Sequence, residues 1–267
     1  MIPGQGKPRL CSCAEQSGLR HAGTPLFCCQ RQKGVSATKL CGLQKLTLLD
    51  YPGLTACTVF TGGCNLRCPF CHNASLVLRP QECSGLHPDE VLEFLTKRRR
   101  VLDGVCVTGG EPLLQPDLED FLRRIRALGL RVKLDTNGCF PVQLAHLVEQ
   151  GLADYVAMDL KNSPALYPAT VGVSDFDLAP VRESAAYLLG GRVEYEFRTT
   201  VVRGLHTAAS LVEAARWIKG AQRYYLQQFV DSGDLIGAGL SGFDPETMRG
   251  FLNRVTPFVT HAGLRGV

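Results

Sequence analysis

The sequence has no run of apolar residues approaching the roughly 18 that a bilayer-crossing helix needs, so a membrane span is not expected. Its opening segment, Met1 to Leu10, mixes Pro, Gly and Lys without an apolar stretch. No secretory leader is expected from it, and the chain reads as cytoplasmic. Internal repeats at a fixed period are absent as well. Length sets a further bound: 267 residues hold one sizeable core but not two enzyme domains with linkers. Apolar residues at 45% and charged residues at 20% exclude disorder of the whole chain. A strong excess of one charge is missing from most of the chain. Residues 1–45 hold seven Lys or Arg against Glu15 alone, whereas the rest holds 22 bases and 24 acids. A nearly neutral body offers no large surface for nucleic acid.

Cysteine is what the sequence has in excess, with twelve. Dense cysteines form disulfide scaffolds in small secreted domains, and this chain is neither small nor read as secreted. Metal ligands, catalytic thiols and small buried hydrophobes are then the expected uses. Residues 1–40 are rich in Gly, Pro, Gln and basic residues and carry no helical or strand period. They are expected to be a poorly ordered basic extension, of the kind an early start codon would add, with the folded domain at 41–267. Cys11, Cys13, Cys28 and Cys29 are spaced as Cys-x-Cys and Cys-Cys, unlike the usual ligand runs for zinc or iron–sulfur clusters. An extra metal site joining them to Cys41 is the alternative.

Beyond residue 44, strand and helix signals alternate. Short apolar, β-branched runs occur at Thr55–Phe60, Gly104–Thr108, Arg131–Asp135, Asp154–Asp159, Val193–Val202 and Arg223–Phe229. Between them, Asp117–Leu128 places Leu118, Phe121, Leu122, Ile125 and Leu128 on one helical face, and Ala208–Lys219 does the same with Leu211, Val212, Ala215 and Ile218. Pro88-Asp89-Glu90 starts another helix running to about Lys97, and Gly129 ends the Asp117 helix. Repeated strand–helix units imply an α/β fold with a parallel sheet and outer helices. Six units in roughly 185 residues fit an open six-stranded (β/α)6 partial barrel better than a complete eight-unit barrel of about 250.

Immediately after the first expected strand comes Gly62-Gly63-Cys64-Asn65-Leu66-Arg67-Cys68-Pro69-Phe70-Cys71-His72-Asn73. Three thiols at Cys-x3-Cys-x2-Cys, with no fourth close by, suit a [4Fe–4S] cluster with one iron left open for substrate. The glycine pair permits the tight backbone of a wrapping loop. A zinc site completed by His72 or a distant cysteine is the competing reading, and neighbours such as Cys71 and His72 chelate one ion poorly.

With these residues the chain resembles the radical S-adenosylmethionine superfamily, whose hallmark is this cysteine spacing with an aromatic residue, here Phe70, before the last cysteine. The resemblance makes Cys64, Cys68 and Cys71 the cluster ligands and catalytic centre, places Phe70 near the adenine, and counts His72 among the cofactor-binding residues. It assigns Gly109-Gly110-Glu111-Pro112, after the second strand, to the methionyl amino group through backbone and the Glu111 side chain. Two acidic strand ends, Asp135-Thr136-Asn137 and Asp159-Leu160-Lys161, resemble those that glycyl-radical activating enzymes turn toward the methionyl carboxylate and a monovalent cation. Asp135, Asn137, Asp159 and Lys161 are accordingly expected at the cofactor.

The segment Leu43–Gly53, with Cys-Pro-Phe-Cys-His-Asn, is similar to anaerobic ribonucleoside-triphosphate reductase activating proteins. That resemblance runs from about Cys41 to Phe229. It implies reductive cleavage of S-adenosylmethionine to a 5′-deoxyadenosyl radical, which takes a Cα hydrogen from a glycine of a large glycyl-radical partner enzyme. A flavodoxin or ferredoxin would supply the electron. Some such activases insert a ferredoxin-like domain with more cysteine runs; only Cys83 and Cys106 lie between Cys71 and Gly109, so none is expected. Cys57, Cys83, Cys106 and Cys139 are expected to be structural. The basic run Lys97–Arg100 is a solvated helix end or a dock for an acidic electron donor, and His206 is a loop residue or a nucleoside contact. The alternatives to an activase are a compact enzyme of the same superfamily acting on a purine-like or pterin-like molecule, and a non-catalytic iron–sulfur carrier or sensor.

Overall fold

The computed structural model describes residues 38–83 and 85–267, so the expectations for Cys11, Cys13, Cys28 and Cys29 lie outside the described residues. A single eight-stranded sheet follows chain order from β1 to β8. β1 (Leu40–Thr47) runs antiparallel to β2 (Ala56–Thr61). From β2 onward every pairing is parallel, through β3 (Gly104–Gly109), β4 (Arg131–Thr136), β5 (Tyr155–Asp159), β6 (Glu194–Val201), β7 (Arg223–Gln228) and β8 (His261–Arg265). β1 and β8 are the two edges, and the barrel stays open between them.

The six expected strands are β2 to β7, each within about one residue of its expected limits. The two edge strands are additional to them. β1 carries Gly42, Gln44 and Lys45 and shows a bulge, and β8 is a five-residue segment containing Gly263, so neither presents a clear alternation. Helices occupy the crossovers: α1 (Ala74–Leu78), α2 (Pro88–Arg98), α3 (Leu118–Ala127), α4 (Pro141–Glu149), α5 (Tyr167–Val171), α6 (Ala179–Leu189), α7 (Ala208–Trp217) and, before β8, α8 (Pro245–Val255). Their apolar stripes close the outer face of the sheet. Leu118, Phe121, Leu122 and Ile125 of α3 are buried in one core with Val105, Val107, Val132 and Leu134 of β3 and β4. Truncating a fully buried leucine such as Leu122 to alanine would cost about 2–5 kcal/mol.

The inner face of the sheet is polar. Because strand side chains alternate, the partners of those outward residues turn inward: Thr58, Cys106, Lys133, Asp135, Ala157, Asp159, Glu196 and Arg198. Glu196 is fully buried, takes both its oxygens to Arg265 at 2.7 Å and accepts from the Tyr155 hydroxyl at 2.8 Å. This bidentate pair fastens β8 to β6.

Two expectations for the start of the domain change. Leu40 and Thr38 are buried, Lys39 donates its N–H to Gln115 Oε1 at 2.8 Å, and its carbonyl accepts from Gly62 at 3.0 Å. The fold therefore begins before residue 41. Cys41 and Cys83, meanwhile, form a disulfide with Cα atoms 5.3 Å apart. The cysteine count alone pointed away from disulfides. What brings this pair together is a bridge between Leu40 and Leu86, in which Leu86 N–H donates to Leu40 at 2.8 Å. Cys57, Cys106 and Cys139 are free thiols, the first two buried in strands.

Arg98, Arg99 and Arg100 are exposed at the end of α2, where β3 begins. The cysteine run follows the opposite, C-terminal end of the neighbouring parallel strand β2, about 20 Å of strand away.

Candidate active site

The C-terminal ends of β2 to β7 converge on one pocket of about 290 Å³. Its wall includes Cys64, Cys68, Phe70, Cys71, His72, Gly109, Gly110, Asp135, Asn137, Asp159 and Lys161, eleven of the twelve residues the sequence singled out. Glu111 is the one set apart.

The cysteine loop has no regular structure and is held from several sides. Glu111 N–H donates to Gly63 O at 2.8 Å, Gly63 N–H donates to Leu76 O at 2.8 Å, and the Asn73 amide donates to Gly109 O at 2.8 Å. Gly110 lies so close above Gly63 that a β-carbon there would stand 1.9 Å from the Gly63 oxygen. Only a glycine can pass the cysteine loop at this distance. Thus Gly109-Gly110-Glu111-Pro112 clamps the cysteine loop, with Gly109 and Gly110 also on the pocket wall. Burial raises the Cys64, Cys68 and Cys71 thiols, Cys68 to about 11, while Lys161 pulls each of them back down. Lys161 is thus a cation felt by all three sulfurs.

Glu111 is fully buried and its carboxylate faces protein. It accepts from Asn137 N–H at 2.7 Å, Thr136 Oγ1 at 2.9 Å and Leu113 N–H at 3.1 Å, tying the end of β3 to the end of β4. Its side chain is not on the pocket wall, where the backbone of Gly109 and Gly110 stands. Burial pushes the Glu111 carboxyl up to about 7 against the pull of these three donors.

The floor is a chain of alternating charge. Lys133, 1% exposed, pairs with Asp135; Arg198 Nη1 reaches Asp135 at 3.1 Å and its Nε donates to Asp159 at 2.9 Å; Lys161 closes the row on Asp159 at 3.0 Å. Burial opposes charge on Asp159, but Arg198 and then Lys161 outweigh it and hold the carboxyl at about 2. Asp135 is likewise lowered, with Arg198 and Lys133 outweighing burial. The guanidinium of Arg198 thus bridges the two carboxylates. Three cations against two carboxylates leave the floor positive.

Sequence reasoning missed Arg198, Thr200, Gln227 and Gln228, all on the wall. A signal for Arg198 was present: Glu194, Glu196 and Arg198 alternate with Tyr195 and Phe197, the pattern of a strand with a polar inner face. His206 is buried and takes no part in the wall. Its Nδ1 accepts from Val202 N–H at 3.1 Å, so Nε2–H donates to Lys161 O at 2.8 Å, and the ring meets Phe70 edge-on. It is a neutral brace for Phe70 and Lys161.

The Radical SAM superfamily profile matches residues 58–178. A protein of Methanocaldococcus jannaschii named for glycyl-radical enzyme activation is 30% identical over 196 residues, 70% of this chain and 78% of that one. The chain belongs to the radical SAM superfamily. A Halobacterium salinarum relative named for GTP 3′,8-cyclase activity is 39% identical over 99 residues, but the match spans 34% of this chain and only 27% of the relative. Among solved structures, Streptococcus suis SuiB bound to S-adenosylmethionine superposes with a TM-score of 0.62 at 15% identity, over 76% of this chain and 48% of SuiB. That likeness is one of fold.

Radical SAM enzymes use a [4Fe–4S] cluster and S-adenosylmethionine. The donor set here fits both. Three thiols with no fourth on the pocket wall would hold such a cluster with one iron left open, the positive floor suits thiolates and a carboxylate, and the glycine backbone permits close approach. No helix among the described residues is long and apolar enough to cross a membrane.

Proposed function

We propose that this chain is a glycyl-radical activase, an oxidoreductase working with a cytoplasmic partner such as an anaerobic ribonucleotide reductase. The folded domain that includes Thr38 and Lys39 is its catalytic domain, with Cys64, Cys68 and Cys71 holding the cluster. Bound there, the cluster supplies the single electron that cleaves the sulfonium carbon–sulfur bond. The chain's own residues bind and orient. The Gly109–Gly110 backbone receives the methionyl amino group, Arg198 and Lys161 face its carboxylate, and Phe70 braced by His206 walls the adenine side. No side chain moves a proton in this scheme.

The observation that carries the activase reading is relatedness over 78% of a protein named for glycyl-radical activation, against 27% of one named for GTP cyclisation. In this reading the hydrogen donor comes from outside, as a protruding loop of a protein does. A flavodoxin or ferredoxin is the proposed electron donor. Its dock belongs near the cysteine loop, since Arg98–Arg100 stand at the far end of the strands.

The test is anaerobic: reconstituted protein, dithionite, S-adenosylmethionine and an anaerobic ribonucleotide reductase, read by electron paramagnetic resonance. A glycyl doublet is expected, and Cys68→Ala abolishes it together with the cluster. Steady deoxyadenosine release without a doublet, whichever glycyl-radical enzyme is offered, rejects the activase reading.

A further inference from the structure

The segment after β7, Phe229–Phe243, touches none of the motifs above in sequence, yet it grips the cysteine loop at three places. The His72 ring stacks on Phe229 with centroids 5.4 Å apart, and its Nε2–H donates to Val230 O at 2.8 Å. Gly237 N–H donates to Pro69 O at 2.7 Å. Asp234 takes the Ser75 hydroxyl at 2.7 Å and the Ser75 N–H at 3.2 Å on its carboxylate, while its own carbonyl accepts from Ala74 N–H at 3.4 Å.

These anchors fall at chosen points of the loop. Pro69 follows Cys68, His72 follows Cys71, and Ala74–Ser75 is where the loop enters α1. Cys64 is held independently, through Gly63 and through the Asn137 amide, which reaches its sulfur at 3.7 Å. Of the anchors, Asp234 is the one that engages two donors, the Ser75 N–H and hydroxyl, through the oxygens of one side chain. The approach at Gly237 is equally particular: a β-carbon there would stand 2.8 Å from Pro69 Cβ.

We propose that Phe229–Phe243 is a keeper for the cysteine loop, and that Asp234 is a positioning residue that fixes where Cys68 and Cys71 stand. It acts on the cluster through Ser75 and the loop rather than by touching the metal. The proposal rests on the reading of Cys64, Cys68 and Cys71 as cluster ligands only for its effect on iron; its effect on the loop is independent of metal.

Two measurements on the full chain separate these. In cluster-free protein, alkylation of Cys71 by iodoacetamide, followed by mass spectrometry, is expected to be about threefold faster in Ser75→Ala than in wild type, a variant that loosens the Asp234 anchor and leaves the charge beside Cys71 in place. In reconstituted protein, release of iron to a chelator accelerates about tenfold in Asp234→Ala and about threefold in Ser75→Ala, and the double variant is no faster than Asp234→Ala because one bond is lost in both. Gly237→Ala, which changes no charge, shifts the reduced cluster's g-values and midpoint potential. Asp231→Asn is the control, because the Asp231 carboxylate accepts from Gly233 N–H within its own segment. Should Asp234→Ala not fold, Ser75→Ala and Gly237→Ala carry the test. Wild-type alkylation, iron release and spectra in folded variants overturn the proposal. Faster alkylation in a protein that never holds a cluster overturns the cluster reading and leaves the keeper standing.

Discussion

The Arg198 guanidinium donates to Asp159 from β6 to β5 over 2.9 Å, at the level where the pocket floor begins. Its other arm holds Asp135 on β4, so one side chain joins three strands by charge. Replacing it with methionine leaves two carboxylates with only Lys133 and Lys161 to answer them. Breaking a buried pair from one side typically costs 3–5 kcal/mol, and the remaining lysines keep the expected loss at about 3 kcal/mol. Loss of a charged hydrogen bond to the methionyl carboxylate should weaken S-adenosylmethionine binding by roughly 10- to 100-fold. Calorimetry under anaerobic conditions reads the second effect, and Arg198→Met/Asp159→Asn should recover part of the first. Unchanged affinity in Arg198→Met would remove Arg198 from the binding site.

Glu111 predicts a pH dependence of stability in the cluster-free chain. Its carboxyl lies at about 7 in the folded protein because of burial, above the value near 4.5 of a free glutamate. A group that binds its proton more tightly when folded stabilises the fold at low pH. That contribution fades as pH rises from about 4.5 to about 7 and is gone above it. The span corresponds to roughly 3 kcal/mol at most. Glu111→Gln removes the titrating group, at the cost of at least one of its three accepted hydrogen bonds, and should flatten this part of the profile in urea titrations. A profile with the same slope in wild type and variant would place its origin elsewhere.

The disulfide gives a third expectation. Cys41–Cys83 closes a segment of 42 residues that contains all three pocket cysteines. By loop-closure entropy such a link stabilises by about 2–4 kcal/mol. Oxidised protein should therefore melt at a higher temperature than reduced protein. In Cys41→Ser, reductant should make no difference, and an equal response to reductant in both proteins would refute the pairing.

Much of this arrangement is legible in the amino-acid sequence. The strands β2 to β7 are visible there because a buried parallel sheet demands short β-branched runs, and Asp117–Leu128 because its leucines repeat on one face. The pocket wall is legible because the cysteine spacing and the strand-end motifs are local in sequence. What stays hidden depends on contacts between distant segments. Glu111 turns away from the pocket because Asn137 and Thr136 meet it from another strand, and Arg198 enters because β6 lies beside β5. Cys41 finds Cys83 through a single bridge, and the Asp234 segment carries no recognisable motif at all.

Gly110 offers the sharpest test of how the two glycine motifs depend on each other. Its backbone passes Gly63 so closely that an added β-carbon would stand 1.9 Å from a carbonyl oxygen, a distance no rotamer relieves because the obstacle is main chain. Gly110→Ala must therefore displace either the turn after β3 or the start of the cysteine loop, and with it Cys64. Gly129, by contrast, has φ of +81° but nothing within 4 Å of its would-be β-carbon, so Gly129→Ala meets backbone strain alone, about 1 kcal/mol. The two variants separate strain from displacement. Gly129→Ala should lose a few degrees of melting temperature and keep full iron loading after reconstitution. Gly110→Ala should load poorly, with iron per chain falling severalfold while the circular dichroism of the outer helices is retained. If Gly110→Ala binds iron as well as Gly129→Ala does, the cysteine loop is not positioned by the turn above it, and the Glu111–Gly63 hydrogen bond at 2.8 Å is incidental to the site.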